Sequence, residues 1–242
     1  VETPYFIYLD GDDYWTDVDK LAIQYSIMEE EKNADCIACA HQIEMYNEDK
    51  PNRVEYIPRF AIKERKFSRD EYWEKYYFHT DTILFRSSVI SKLPWKIIED
   101  SFNDNLITFC FLQFGKIYYY PRCMAAYRQN SNGIWAGEKL VTNIFRNIIT
   151  YDLEMQICSE MEREIKVRHI VDFMKVVKIR GGFREMPNSY YELAKKYKCM
   201  TALRLVRDGY VLRDNRIKEK IFLLCLFIYC KFIYFCTGRC YH

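Results

Sequence analysis

The chain has 242 residues and a mass of 29.4 kDa, enough for one large domain or two small ones. Half of its residues are hydrophobic and 29% are charged, with only 8 Gly and 6 Pro, which excludes collagen-like, low-complexity and wholly disordered proteins. Net charge is +2, yet residues 1–40 carry ten Asp/Glu against two Lys, while residues 195–220 carry nine Lys/Arg against three acids. An acidic front and a basic back predict partners of opposite sign.

In chain order, the apolar run Tyr5–Leu9 stops at Asp10-Gly11-Asp12-Asp13, which predicts a buried strand ending in an acidic loop. A helix follows over about 18–32, with Leu21, Ala22, Tyr25 and Met28 at helical spacing and Thr16 or Asp17 placed to cap it. Residues 36–45 read as a second strand and 47–68 as a long surface excursion. A short helix is expected over 69–77, a third strand over 82–85, and a brief helix from Ser87 or Ser88 to Pro94. Asn103 or Asp104 opens another helix, which Gly115 closes, and 117–120 and 124–127 look like two further strands. From Gly137 to Arg180, and again over 190–207, the pattern is helical, broken by Gly181-Gly182 and Pro187.

Strands alternating with helices over residues 4–128 imply an α/β layer with a mainly parallel sheet, followed by a helical appendage. The ten cysteines do not suit a small secreted scaffold, given the long helical patterns, and are expected to be reduced and mostly buried in a cytosolic setting. Cys36-x-x-Cys39 with His41 lacks a second pair at zinc-finger spacing, and fits a buried strand better than a zinc site.

The loop Asp10-Gly11-Asp12-Asp13 carries the sharpest chemistry. In extended chain, residues i and i+2 share a face, so Asp10 and Asp12 can converge on one hard cation, Mg²⁺ or Mn²⁺. Such a site at a strand's C-terminal end would leave positions for water and a diphosphate. The plainer alternative is an acidic turn that caps the next helix. An EF-hand is excluded, because Trp15 and Leu21 stand where that loop needs Gly and Glu.

The segment Tyr5-Phe6-Ile7-Tyr8-Leu9-Asp10-Gly11-Asp12-Asp13-Tyr14-Trp15, with Asp19-Lys20-Leu21 and Gln24, closely resembles the metal-site region of family 2 glycosyltransferases of the GT-A fold. The resemblance continues at Thr80–Arg86, at Asn103-Asp104, and at Tyr127-Arg128 through Gly133-Ile134-Trp135, covering residues 1–137. It implies the second part of a GT-A domain, which transfers a sugar from a nucleotide-sugar donor to an acceptor hydroxyl with inversion. By analogy, Asp10 and Asp12 hold the cation on the donor diphosphate, and Asp13 orients the loop or contacts the donor. Asp104 matches the family's base, with Asp100 and Glu99 as fallbacks and Asn103 free to act as the helix cap. Relatives often carry a metal-completing His after the Tyr-Arg pair; in this chain Asn130 stands near that place and is the candidate third ligand. Trp135 would cover donor or acceptor, and His79 is expected to serve packing or acceptor contact rather than the metal.

The resemblance also implies strands for base and ribose upstream of the Asp-x-Asp motif. None is recognised in this sequence, so little activity is expected of this chain alone. A saccharide or lipid-linked acceptor and a role in surface-polysaccharide or glycolipid synthesis follow by analogy, as does a cytoplasmic location at the inner face of the plasma membrane. The rival reading is an inactive remnant or interaction module that keeps the fold. Beyond the appendage at 138–217, residues 218–242 form an apolar tail. Its run over 221–236 is interrupted by Lys231 and is too short to span a bilayer; behind Arg213, Arg216, Lys218 and Lys220 it suits peripheral membrane contact through 218–236 or a buried helix. Nucleic-acid binding is not expected, since no recognised module surrounds these charges.

Overall fold

The computed structural model describes residues 2–48, 54–59, 62–75, 78–101, 103–129, 140–161 and 188–199. The chain divides into two compact units, Val1–Gly137 and Glu138–His242. The first is an α/β unit around one seven-stranded sheet. Its strands are β1 (Tyr5–Ile7), β2 (Tyr14–Trp15), β3 (Cys36–Asn47), β4 (Val54–Ile57), β5 (Arg65–Phe67), β6 (Leu84–Arg86) and β7 (Lys116–Gln129). They run in the order β1-β6-β3-β7-β2, with β4 also on β3 and β5 also on β7.

The sheet is mixed rather than mainly parallel. β3 and β7 run parallel along nearly their whole length, while every other described pairing is antiparallel. The physical reason is β6, which enters between β1 and β3 and runs against both. Alternation of strand and helix predicts crossovers between neighbours; it does not reveal a strand inserted later between two that are already placed. The two short strands expected over 117–120 and 124–127 are one strand, β7. His41 pairs with Tyr120 and Gln42 with Cys123, so Pro121 and Arg122 bulge out of the ladder, where a residue without an N–H is tolerated. The excursion at 47–68 holds β4 and β5, whose few residues carry too little alternation to register as strands.

The helices are α1 (Lys20–Glu29), α2 (Arg69–Lys75), α3 (Trp95–Ser101) and α4 (Asp104–Phe111). Helix α1 buries Lys20, Gln24, Ile27 and Met28, a stripe at i, i+4, i+7 and i+8 that begins polar and ends apolar. Its apolar end packs with Cys36, Cys39, Leu84 and Tyr118. Its polar end is tied down by hydrogen bonds. Lys20 donates to Gln24 Oε1 (2.7 Å), and Gln24 Nε2 donates to the carbonyls of Cys39 (2.6 Å) and Thr82 (2.8 Å). One amide therefore pins α1 to both β3 and the 3₁₀ turn Thr80–Thr82. The Lys20 ammonium also lies over the Trp15 ring, 4.6 Å from its centroid.

Helix α1 begins later than its acidic prelude suggests. Asp19 is at the cap without a side-chain bond, while Asp17 Oδ1 accepts from the Asp19 N–H (3.0 Å) and Asp17 Oδ2 pairs with Arg122 (2.5 Å). After α4, Gly115 is required by close approach, since a Cβ there would stand 2.8 Å from the Asp35 carbonyl oxygen. The six described cysteines are free, and all but Cys123 are buried.

In the second unit, α5 (Leu140–Ile157) buries Ile144, Ile148, Phe145, Ile149 and Leu153, and α6 is Asn188–Lys196. Arg146 donates to the Tyr190 hydroxyl, and Gln156 Nε2 donates to the Tyr197 carbonyl (2.7 Å), joining the two helices. Among the described residues no helix is long and apolar enough to cross a membrane. The tail at 218–242 lies outside the described residues.

Candidate metal centre

The acidic loop leaves β1 and folds back on itself, the Asp13 N–H donating to the Asp10 carbonyl (3.1 Å). This turn sorts three sequence neighbours into two environments. Asp10 and Asp12 lie exposed at the rim, whereas Asp13 is buried at 9% exposure. Two further contacts hold the loop. Asp13 Oδ1 accepts from the Arg128 N–H (2.8 Å), and Arg128 Nε donates to the Asp12 carbonyl. A third comes from the turn that Gln24 anchors, where Asp81 Oδ1 accepts from the Asp10 N–H (3.1 Å).

Below the loop, Asp13, His79 and Asp81 are all buried, and each offers a ligand atom within 4.8 Å of the others. Asp81 is fully buried, and its Oδ2 and Asp13 Oδ2 are enclosed without a hydrogen-bond partner. Two carboxylates facing each other away from water need a proton or a cation between them. Burial first, then the neighbouring Asp13 carboxyl, hold Asp81 well above the usual carboxylate range. His79 Nδ1 stands 3.5 Å from Asp81 Oδ2, and its ring lies against Tyr127 with centroids 4.4 Å apart. Burial lowers the His79 imidazole, opposed by the charges of Asp104, Asp13, Asp10 and Asp12 in that order.

Asp104 belongs to the same electrostatic neighbourhood. It is the first residue of α4, and Asn103 fills the cap, its Oδ1 accepting from Asn105 N (2.9 Å) and Leu106 N (3.4 Å). The Asp104 carboxylate is therefore not consumed by capping its own helix. Partial desolvation first, and the Asp104 charge second, hold the Asp10 carboxyl above its usual value even at the exposed rim, and the same pair of causes raises Tyr8. Of the fallback acids, Glu99 is exposed and Asp100 pairs with Lys96 (3.5 Å).

The structure thus brings Asp10, Asp12, Asp13 and Asp104 into one electrostatic neighbourhood and adds His79 and Asp81. Asn130 and Trp135 lie outside the described residues. Sequence reasoning passed over Asp81, although a carboxylate leading into the apolar run Ile83–Phe85 was a usable signal. Cys36 and Cys39 instead join the apolar cluster. Beside them, His41 is fully buried, its Nδ1 2.7 Å from the Gln42 carbonyl, and burial followed by the Lys20 charge lowers it to about 3. Among the described residues, Asp13, His79 and Asp81 form the group whose chemistry fits a metal. No protein-family model matches the sequence, and neither does any curated protein.

Proposed function

We propose that residues 1–137 form the cation and acceptor side of an inverting, GT-A-type glycosyltransferase acting on a nucleotide-sugar. The observation that supports this most is that Asp104, at the start of an already capped helix, lies near enough to the acidic loop for its charge to bear on Asp10. A sugar transfer by direct displacement needs an anionic anchor for a diphosphate-bound cation and a separate base, both reaching one substrate. Asp10 and Asp12, both exposed on the rim, would take the first role. Asp104, half-buried with its helix already capped by Asn103, would take the proton from an acceptor hydroxyl. A bound Mg²⁺ or Mn²⁺ would supply charge neutralisation on the departing nucleoside diphosphate. The acceptor is a saccharide or lipid-linked hydroxyl, and the setting is surface-polysaccharide or glycolipid synthesis at a membrane face.

Calorimetric titration of the full chain with uridine diphosphate and guanosine diphosphate in turn, each with Mn²⁺, tests the anchor. Mn²⁺-dependent nucleotide binding is expected, weakened at least tenfold by Asp12→Asn. A flat titration with both nucleotides would sink the transferase reading and favour an interaction module that keeps the fold.

A further inference from the structure

Beneath the rim lies a second feature that the transfer chemistry does not use. Asp13 and Asp81 each commit one oxygen to a backbone N–H, of Arg128 and of Asp10 respectively, and each turns its other oxygen inward, where the two carboxyls meet each other with no N–H or O–H donor within hydrogen-bond reach. His79 adds an imidazole to this enclosure. The 3.5 Å between His79 Nδ1 and Asp81 Oδ2 is longer than the roughly 2.7–2.9 Å of a charge-assisted hydrogen bond. It matches the roughly 3.4 Å edge of a tetrahedron whose ligands stand about 2.1 Å from a central ion. Two carboxylates and a neutral imidazole bring a charge of −2, which one divalent cation cancels. Lys20, the cation whose charge reaches Asp81, gives its hydrogen bond to Gln24 instead.

We propose that Asp13, His79 and Asp81 bind one divalent transition-metal ion, Zn²⁺ or Mn²⁺, which clamps the acidic loop to the sheet with or without a nucleotide. A mixed nitrogen and oxygen set suits these ions better than Mg²⁺ or Ca²⁺. Mg²⁺ keeps several waters and Ca²⁺ takes six to eight oxygens, and a buried three-ligand enclosure accommodates neither shell. The ion would join the loop, the turn Thr80–Thr82 and, through the Asp13 bond to Arg128, strand β7. This site uses other side chains than the exposed Asp10 and Asp12 and does not depend on the transferase reading.

The test uses the full chain stripped with a chelator and titrated with Zn²⁺ or Mn²⁺ alone, without nucleotide. One ion per chain is expected, with affinity lowered at least tenfold by His79→Gln. Absence of binding with both ions would overturn the site. So would affinity lost in Asp12→Asn and kept in His79→Gln, which would put the ion on the rim. Spin-echo spectroscopy of the Mn²⁺-loaded wild type guards against a misfolded variant. A coupled imidazole nitrogen supports the site, and its absence counts against it. Ion binding that survives where nucleotide binding is never seen would leave the clamp standing and sink the transferase alone.

Discussion

Asp12 and Asp13 are adjacent in sequence and opposite in circumstance. Asp12 belongs to a rim that meets water, where its side chain is free to meet a ligand and enters no described hydrogen bond. Asp13 belongs to a buried floor, together with Asp81, His79, Lys20 and Gln24, where each carboxylate commits one oxygen to a backbone N–H and turns the other inward. The difference separates two kinds of acidic residue. Rim carboxylates cost the fold little, because solvent screens them. Floor carboxylates are expensive without a counter-charge, so their presence implies something that offsets them.

The comparison is broken most severely from the floor. Gln24→Ala leaves the Lys20 ammonium and the carbonyls of Cys39 and Thr82 without their shared partner, and should cost about 2–4 kcal/mol in a urea unfolding experiment. It should also loosen the turn that carries Asp81. A loss under about 1 kcal/mol would mean that water replaces the amide and that the floor is not sealed.

His41 gives the next largest effect, and its sign is fixed by burial. The folded imidazole titrates at about 3 against 6.5 for an ordinary one, so between those values the unfolded chain binds the extra proton. Stability should therefore fall as pH drops below 6.5 toward 3, by up to about 1.4 kcal/mol per pH unit from this group. His41→Leu should flatten that limb of the profile. An unchanged slope would place the acid sensitivity elsewhere.

The smallest effect sharpens the contrast from the other side. Asp12→Asn, expected to weaken Mn²⁺–nucleotide binding, should move unfolding stability by less than about 0.5 kcal/mol, since the residue is exposed. A loss above about 1 kcal/mol would show that rim and floor are one structure.

Much of the rim was legible in the residues themselves. An aromatic strand cut off by Asp-Gly-Asp-Asp, followed by a helical period, locates the loop, and Asn103-Asp104 marks a helix start with one residue to cap and one to spare. The floor was not legible, because its parts meet only through tertiary structure. Asp10 and Asp81 are separated by 71 positions, and their contact depends on β6 entering between β1 and β3, the step that also makes the sheet mixed. Gln24 stood in a recognised motif, yet nothing in its spacing shows that its amide spans two carbonyls from separate elements. Local pattern announces elements; insertion order decides which of them touch.

One detail of the loop reaches further than its geometry. Asp10 and Asp12 enter its described hydrogen bonds through their backbone atoms alone, the N–H and carbonyl of Asp10 and the carbonyl of Asp12. Shape and reactivity are therefore written in different atoms at these positions. A lineage, or an engineer, could exchange either side chain and try a new ligand preference while the loop stays in place. Asp13 has no such latitude, because its side chain is itself part of the frame.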